Sequence, residues 1–248
     1  MDNVMIVTGG SRGIGAATAR LGAAAGYRVC LSYRGNEAAA QAVVDEIEQH
    51  GGTAIAVAAD VGNETDILQL FRTTDERLGP VTALVNNAGI LERQMRVQDM
   101  DAERLSRILA VNVTGSILCA REAIRRMSTA HGGQGGAIVN LSSVAARLGA
   151  PNEYVDYAAT KGAIDTFTLG LAKELADEGI RVNAVRPGII YTDIHASGGE
   201  PGRVDRLKES VPMKRGGRAD EVAQAILWLL SDAASYTTGT IIDVTGGR

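Results

Sequence analysis

The sequence predicts an α/β fold, a doubly wound parallel sheet of about seven strands with helices on both faces. Two observations support this prediction. Short apolar runs alternate with longer stretches of helical spacing along the whole chain, and a glycine-rich turn joins the first apolar run to an alanine-rich helix. Because consecutive parallel strands need a crossover of fixed hand, this alternation leaves few other arrangements.

The predicted elements follow one another in regular order. Strands are expected near 3–8, 27–33, 53–59, 81–86, 136–142, 180–186 and 240–245, and helices near 13–25, 36–50, 63–78, 101–129, 154–178 and 218–231. Signals at the helix ends agree in places. Asn36 is a favourable cap for the second helix, and Gly26 and Gly179 follow helix ends where a left-handed residue is common. The order is that of a single-domain Rossmann-type sheet.

One domain is expected to cover residues 1–248, since the chain shows neither an internal repeat nor a linker. A long irregular stretch, residues 187–217, is rich in glycine. It follows the sixth predicted strand, at the carboxyl edge where open α/β sheets bind their ligands. We therefore interpret residues 187–217 as a substrate lid.

Charge and composition argue against several functional classes. The net charge is −4 and the arginines are dispersed, which disfavours a nucleic-acid partner. The chain opens without a basic-then-apolar signal layout, and no apolar run approaches ~18 residues, so we expect a cytoplasmic protein with no membrane partner. Cys30, Cys119 and the three histidines are too scattered to predict a metal site.

The glycine-rich turn predicts a site for a dinucleotide. The apolar run Val4–Thr8 breaks into a turn with glycines at 9, 10, 13 and 15, and a helix follows. A strand, a glycine turn and a helix N-terminus together point unpaired N–H groups at one place, which suits a phosphate. Glycine is needed where φ is positive or where a phosphate approaches the backbone closely.

A second signal is the spacing of Tyr157 and Lys161 in a predicted helix. Residues four apart project from one face, so the two side chains are expected to be neighbours. A nearby cation favours the phenolate and is expected to lower the pKa of the tyrosine, which makes it a usable proton donor or acceptor. The chain has only four lysines, Lys161, Lys173, Lys208 and Lys214, so a lysine here is notable.

Taken together, these motifs resemble those of the classical short-chain dehydrogenases/reductases. The matching stretches, in order and spacing, are Thr8–Gly15, Asn86-Asn87-Ala88-Gly89, Asn112 in Val111–Gly115, Ser142-Ser143, Tyr157-x3-Lys161 and Pro187-Gly188. The resemblance covers essentially the whole chain and is greatest to members similar to 3-oxoacyl-carrier-protein reductase and glucose 1-dehydrogenase. It implies an NAD(P)(H)-dependent oxidoreductase that interconverts a carbonyl and a secondary alcohol.

The resemblance also implies which residues bind the cofactor. They are Gly9, Ser11, Arg12, Gly13, Ile14, Gly15, Arg34, Asp60, Val61, Asn87, Ala88, Gly89, Tyr157, Lys161, Pro187, Gly188, Ile190 and Thr192. Asp60 resembles the residue that binds the adenine amino group, and Ile190 and Thr192 match positions near the carboxamide or pyrophosphate. By local chemistry alone, Asp60 and Thr192 are alternatively helix caps.

Charge near the adenosine ribose predicts the choice of cofactor. NAD-binding chains need an acid at the end of the second strand, whereas NADP-binding chains need cations for the 2′-phosphate. The second predicted strand carries no acid and is followed by Arg34, and Arg12 lies in the glycine turn. We therefore expect a preference for NADP(H), with NAD(H) use left open. The alternative is that Arg34 is a solvated turn residue and Arg12 packs over the adenine.

For the chemistry, the resemblance implies four catalytic residues. Tyr157 exchanges the proton, Lys161 stabilises the phenolate and contacts the nicotinamide ribose, Ser143 orients the carbonyl, and Asn112 kinks its helix and holds a relay water. Ser143 precedes Tyr157 by 14 positions, one more than is usual in the family, so Ser142 stays as the alternative. The extra residue is expected to be absorbed between residues 148 and 156.

Other readings of the sequence stay open at this point. A halohydrin-dehalogenase-like lyase or a non-catalytic nucleotide sensor can share the fold, although the intact glycine turn and complete catalytic set argue against both. The expected partners are a small carbonyl or alcohol substrate and identical subunits in a homotetramer. Residues expected to line the substrate pocket are Tyr154, Asp156, Tyr191, Ile194, His195, Pro212 and Met213.

Overall fold

The computed structural model describes residues 3–248 and contains one parallel sheet. Its strands are β1 (Val4–Val7), β2 (Arg28–Tyr33), β3 (Thr53–Ala58), β4 (Ala83–Asn86), β5 (Gly136–Leu141), β6 (Ile180–Pro187) and β7 (Ile241–Val244). The strands lie in the order β3-β2-β1-β4-β5-β6-β7, and every neighbouring pair is parallel. The chain reverses its direction of winding between β1 and β4, which is where such sheets bind ligands.

Helices connect the strands. The α-helices are α1 (Gly13–Ala24), α2 (Glu37–Gln49), α3 (Glu64–Arg77), α4 (Ala102–Leu109), α5 (Gly115–Met127), α6 (Ala145–Leu148), α7 (Val155–Glu174), α8 (Ile194–Ser197), α9 (Arg203–Leu207) and α10 (Ala219–Leu230). A π-helical turn, Ala110–Thr114, joins α4 to α5. Short 3₁₀ helices lie at Val97–Asp99, Thr129–His131, Ala176–Glu178, Lys208–Ser210 and Asp232–Ala234.

The core consists of two apolar layers, one on each face of the sheet. Strand residues alternate between the layers: in β1, Val4 and Ile6 face one layer, and Met5 and Val7 face the other. Helices α3, α5 and α7 contribute to the first layer, and α1, α2 and α10 contribute to the second. This arrangement confirms the predicted fold class.

Three differences from the predicted elements concern the helices. The expected helix 101–129 is divided by the π-helical turn at Ala110–Thr114, and its second part ends at Met127. The helix expected over 154–178 ends at Glu174 and is followed by a 3₁₀ turn. The stretch 187–217, expected to be irregular, contains α8, α9 and the 3₁₀ helix at 208–210.

Two global properties of the described residues bear on function. None of their helices combines the length and apolar character needed to cross a membrane. Within the same residues, 3–248, no three His, Cys, Asp or Glu side chains come together as a group that would hold a metal ion.

Cys30 and Cys119 are both buried and unpaired, and burial raises the pKa of each thiol to about 12.

Candidate active site

A large cavity lies across the carboxyl ends of β1, β2, β4, β5 and β6, with a volume of about 980 Å³. It extends from Arg12, Arg34 and Asp60 at one end to Tyr154 and the segment 187–217 at the other. Predicted site residues that line it are Gly9, Ser11, Arg12, Gly13, Ile14, Arg34, Asp60, Val61, Asn87, Ala88, Gly89, Ser143, Tyr157, Lys161, Pro187, Gly188, Ile190 and Thr192. The fold therefore brings residues from seven separate chain segments to one cavity.

The glycine turn between β1 and α1 has the conformation that the sequence predicts. Gly9 and Gly13 have φ of +64° and +54°, in the left-handed region that disfavours other residues. Gly15 is required for a different reason: a Cβ there would lie 2.4 Å from the carbonyl oxygen of Gly9 and 2.5 Å from Nδ2 of Asn87. Gly15 is buried behind the cavity wall, so it shapes the turn without lining the cavity.

The turn after β4 is tied to the glycine turn. The Asn87 amide donates hydrogen bonds to the carbonyl oxygens of Thr8 (2.8 Å) and Gly9 (3.0 Å). The Thr8 hydroxyl in turn accepts hydrogen bonds from the backbone N–H groups of Asn87 and Ala88, each at 3.0 Å. Asn86 points the other way, into the core, where its amide donates to Asn140 and to the carbonyl of Ser116. These hydrogen bonds hold the turn after β4 against the turn after β1, at the edge of the cavity where the winding of the sheet reverses.

The end of the cavity near β2 carries two cations and one acid. Arg12 is exposed at the start of α1, and Arg34 follows β2. Arg34 forms a long, exposed ion pair with Asp60, with Nη1 and Oδ2 3.6 Å apart. Asp60 is not a helix cap: its Oδ1 accepts from the N–H of Gly62, whereas α3 is capped by Asn63.

Tyr157 and Lys161 lie on the same face of α7, next to Ser143. The Lys161 Nζ atom is 5.5 Å from the centre of the Tyr157 ring and donates to the carbonyl of Leu141 at 2.6 Å. The Ser143 side chain lies near enough to the Tyr157 phenol to lower its pKa, and the Ser143 hydroxyl oxygen accepts from the N–H of Ala145 at 3.1 Å. A phenol, a hydroxyl and an ammonium group are thus brought together beside the cavity.

The structure places the two adjacent serines differently. Ser142 is buried, and its hydroxyl donates to the carbonyl oxygen of Lys161 at 3.2 Å. Ser143 faces Tyr157 instead. The stretch 148–156, where the one additional residue before Tyr157 is expected, contains left-handed backbone at Ala150 (φ 45°) and Asn152 (φ 62°).

The pKa of Tyr157 shifts in the direction opposite to the one expected from its spacing to Lys161. Desolvation by the surrounding protein raises the pKa of the phenol to about 12, and the Ser143 side chain opposes this only in part. Burial lowers the pKa of Lys161 to about 8, against a weaker opposing effect of Asp165. Desolvation is the largest effect on both groups, and the expected lowering of the Tyr157 pKa is wrong for this structure.

Asn112 lies behind the cavity wall, in the π-helical turn. Its Oδ1 accepts from the N–H of Ile90 at 2.8 Å, and its Nδ2 donates to the carbonyl of Ile90 at 3.0 Å and to the Thr160 hydroxyl at 3.2 Å. Asn112 is fully buried and does not line the cavity. It therefore links the segment after β4 to α7, the helix that carries Tyr157 and Lys161.

The segment after β6 closes the other side of the cavity. Gly188 packs against the backbone of Thr245, where a Cβ would approach within 2.8 Å. Ile190 pairs with Gly217 in an isolated parallel bridge. Thr192 lies against Gly13 of the glycine turn, with 3.2 Å between its Cγ2 and a Cβ built on that glycine. Thr192 is not a helix cap, since α8 begins after Asp193.

Of the expected pocket residues, Tyr154, Ile194 and His195 line the cavity, whereas Tyr191, Pro212 and Met213 do not. Asp156 is buried instead in an ion pair with Arg104, with 2.7 Å between Oδ2 and Nε. This pair holds α4 against the start of α7. No sequence motif marks Arg104, because its partner lies 52 positions away.

A cluster of charges that the sequence does not predict holds the segment 187–217 in place. Arg203 on α9 pairs with Glu153 at 2.5 Å and with Glu200 at 2.9 Å, and it lies 5.0 Å from the centre of the Tyr154 ring. Arg206 also pairs with both glutamates. Hydrogen bonding to Arg206 and Arg203 lowers the pKa of Glu200 to about 2. The cluster connects the segment 187–217 to the loop before α7.

Comparison with known proteins agrees with this geometry. The family model described as enoyl-(acyl carrier protein) reductase matches residues 9–248. The oxidoreductase YgfF of Escherichia coli K12 is 60% identical over 245 residues, which cover 99% of each chain. A 3-oxoacyl-[acyl-carrier-protein] reductase of Synechocystis is 40% identical, with 98% of this chain and 96% of the relative covered.

Solved structures show the same architecture. A short-chain dehydrogenase of Burkholderia cenocepacia, in complex with NADP, is 34% identical, with a TM-score of 0.89 over 99% of this chain and 97% of the other. A blue fluorescent protein from a metagenomic library, in complex with NADPH, is 32% identical, with a TM-score of 0.90 and the same coverage. The chain therefore belongs to the classical short-chain dehydrogenase/reductase family, whose members are oxidoreductases.

Proposed function

We propose that the protein interconverts a carbonyl compound and a secondary alcohol, with NADP(H) as the hydride carrier. The observation that carries this proposal is the grouping of Tyr157, Ser143 and Lys161 at the cavity that also contains the glycine turn. Reduction of a carbonyl by hydride produces an alkoxide, which needs a proton donor and hydrogen-bond donors where its charge develops. The grouping supplies both.

The cavity residues fit a dinucleotide. Gly9 and Gly13 take left-handed backbone, which allows the N–H groups at the start of α1 to face a phosphate. The cavity is continuous from Arg34 to Tyr157, and its volume is within the range for cofactor-sized ligands. Asn87, Ala88 and Gly89 would lie under the adenosine half, with Pro187, Gly188, Ile190 and Thr192 around the nicotinamide. When bound, the cofactor supplies or accepts the hydride.

Each catalytic side chain has a distinct role in this proposal. Tyr157 donates its phenolic proton to the developing alkoxide, and Ser143 donates a hydrogen bond that orients the carbonyl oxygen. Lys161 stabilises the phenolate by its charge. Asn112 acts as a positioning residue, because its three hydrogen bonds hold α7 against the segment after β4. Ser142 is not assigned a catalytic role, since its hydroxyl is bonded to backbone.

We infer a preference for NADPH over NADH. β2 ends without an acid, and Arg34 and Arg12 both line the β2 end of the cavity. A 2′-phosphate would accept charge-assisted hydrogen bonds from these side chains. The competing ion pair of Arg34 with Asp60 is long and exposed, so its loss costs little.

The remaining proposals concern the surroundings of the site. The lid segment, residues 187–217, would cover the substrate, since His195 and Arg203 from it line the cavity. We also propose a homotetramer in the cytoplasm, acting on a small-molecule substrate. A halohydrin-dehalogenase-like lyase is disfavoured because the glycine turn has its left-handed backbone and because Arg12 and Arg34 both line the β2 end of the cavity. A non-catalytic sensor would not need the full set of Asn112, Ser143, Tyr157 and Lys161.

Two measurements on one sample test the proposal. When NADPH is titrated with the protein, the nicotinamide fluorescence is expected to change until binding saturates. Addition of a panel of ketones, aldehydes, quinones and sugars is then expected to oxidise the bound NADPH. Saturable binding without oxidation by any carbonyl would support the sensor. Absence of saturable binding, together with halide release from a halohydrin, would support the lyase.

A further inference from the structure

One face of α7 carries a third ionisable side chain beyond the two of the proposed site. Tyr157, Lys161 and Asp165 follow one another at intervals of four residues, so each side chain lies one helical turn from the next. Lys161 is 4% exposed and Asp165 is 9% exposed. The lysine and the aspartate are therefore neighbours in a part of the protein where water screens charges poorly.

Asp165 is held in place from the neighbouring strand. Nε and Nη2 of Arg186, on β6, both donate to Oδ2 of Asp165, at 3.0 and 2.8 Å. The other carboxylate oxygen, Oδ1, is buried and receives no hydrogen bond from any group in residues 3–248. Because Arg186 binds only one of the two oxygens, it fixes the carboxylate but compensates its negative charge only in part.

Arg186 is also shared with a second carboxylate. Its Nη1 lies 3.5 Å from Oδ1 of Asp243 on β7, and Arg147 of α6 pairs with Oδ2 of the same aspartate. Charges of alternating sign thus run from Arg147, which is exposed, through β7 and β6 to Asp165 on α7. The series ends one helical turn from Lys161.

Few other charges surround Lys161. Its ammonium group donates to the carbonyl of Leu141, and neither β5 nor the π-helical turn contains an ionisable side chain. Burial lowers the pKa of Lys161, and the negative charge of Asp165 opposes that lowering. The cations on the elements packed against α7 are each paired with an aspartate, namely Arg104 with Asp156, Arg147 with Asp243 and Arg186 with Asp165.

We propose that Asp165 is a positioning residue whose carboxylate keeps Lys161 in its charged form, and that Arg186 sets how strongly it does so. The inference rests on the proposed function, in which charged Lys161 stabilises the phenolate, and adds the residues that maintain this charge. An anion near a buried cation favours the charged form of the cation, and a second cation bound to the anion weakens that effect. Removing the charge of Asp165 and removing the charge of Arg186 should therefore affect Lys161 in opposite directions.

The titration of Lys161 can be measured without turnover, because the chain has only four lysines. In protein labelled with 13C at the lysine Cε atoms, the NMR signal that is missing from Lys161→Arg belongs to Lys161. Its chemical shift is followed from about pH 6 to about pH 11. The samples are the wild type, Asp165→Asn and Arg186→Gln, which remove one charge and keep a hydrogen-bonding side chain, and Asp177→Asn. Asp177 is an exposed control beyond the far end of α7.

We expect Asp165→Asn to lower the pKa of Lys161 by ~0.5 or more and Arg186→Gln to raise it by a similar amount, with no change in Asp177→Asn. The pH at which kcat/KM for the carbonyl falls should move with this pKa in each variant. An unchanged titration of Lys161 in Asp165→Asn would overturn the inference.

Shifts in the same direction in Asp165→Asn and Arg186→Gln would show only a loss of packing around Lys161, and would also overturn the inference. Absence of turnover with every carbonyl would refute the proposed function. The NMR titration would still decide whether Asp165 acts on Lys161, so the two failures are distinguishable.

Discussion

Tyr157 and Lys161 are the two residues that would set the proton chemistry in the proposed reaction. Burial raises the pKa of Tyr157 to about 12 and lowers the pKa of Lys161 to about 8. At neutral pH both groups therefore carry their protons, so the phenol is ready to donate and the ammonium is charged when the phenolate forms. This protonation state suits carbonyl reduction.

A pH dependence of reduction follows from these two residues. As the pH rises through about 8, Lys161 loses its proton and no longer stabilises the phenolate, whereas Tyr157 stays protonated. We expect kcat/KM for the carbonyl, at saturating NADPH, to be level below this pH and to fall above it. Lys161→Arg, which keeps its charge, should show a lower rate without the fall near pH 8. A wild-type rate that stays level to pH 10 would contradict the role of Lys161.

Arg34 is expected to determine the preference between the two nicotinamide cofactors. Arg34→Ala should reduce the ratio of kcat/KM for NADPH to kcat/KM for NADH by ~10-fold or more, because one charge-assisted contact to the 2′-phosphate is lost. The rate with NADH should change little. Arg20→Ala is a matched control, because Arg20 is paired with Glu46 on the protein surface. A wild type that uses NADH as well as NADPH would refute the argument from charge.

Contacts between residues are predictable from the sequence where local spacing decides them. The spacing of Tyr157 and Lys161 predicts one shared helix face, and the structure brings them together. Their pKa values were not predictable, because desolvation depends on what packs around them. The ion pair of Arg203 and the hydrogen bond of His195 depend on partners that only the folded segment 187–217 brings close.

The glycine turn is the element on which cofactor binding depends most. A methyl group at Gly15 would meet backbone oxygen at 2.4 Å, so the turn would have to move. We expect Gly15→Ala to weaken NADPH binding by ~10-fold or more and to destabilise the fold by ~1–3 kcal/mol. Gly202→Ala is the control, since no atom lies within 4 Å of a Cβ there and its φ is negative. Fluorescence titration and thermal unfolding measure both effects; wild-type affinity in Gly15→Ala would contradict the assignment.

At the level of elements, the sequence predicts strands better than helix interruptions. All seven strands lie within a few residues of their expected positions, because buried parallel strands are short apolar runs. The π-helical turn at Ala110–Thr114 has no comparable signal in apolar spacing. It is stabilised by contacts between Asn112 and Ile90, 22 residues apart, and was anticipated only as a kink implied by family resemblance.

The whole molecule leaves apolar surface that a neighbouring subunit could cover. Large apolar side chains are exposed on α4, α5, α7 and α10, namely Leu105, Leu109, Ile117, Leu169 and Trp228. β7 is an edge strand, paired only with β6. Exposed edges and apolar patches favour association, and two-fold interfaces are the commonest solution.

We therefore expect a tetramer in solution. Light scattering coupled to gel filtration should give a mass near four times 25.9 kDa at micromolar concentration. Leu109→Glu, which places a charge in the exposed patch, should shift the mass toward smaller species, whereas Glu103→Gln on the same helix should not. A wild-type mass near 25.9 kDa at every concentration would contradict the tetramer and show that α10 alone shields the edge strand.

The central claim is that Tyr157 transfers the proton in an NADPH-dependent carbonyl reduction, and Tyr157→Phe tests it most directly. The substitution keeps the ring and removes the transferable proton. NADPH affinity, from fluorescence titration, should stay near that of the wild type, while kcat falls by ~100-fold or more. Lys161→Ala, in contrast, should lose turnover and cofactor affinity together. A Tyr157→Phe enzyme that retained more than about a tenth of the wild-type kcat would contradict the account.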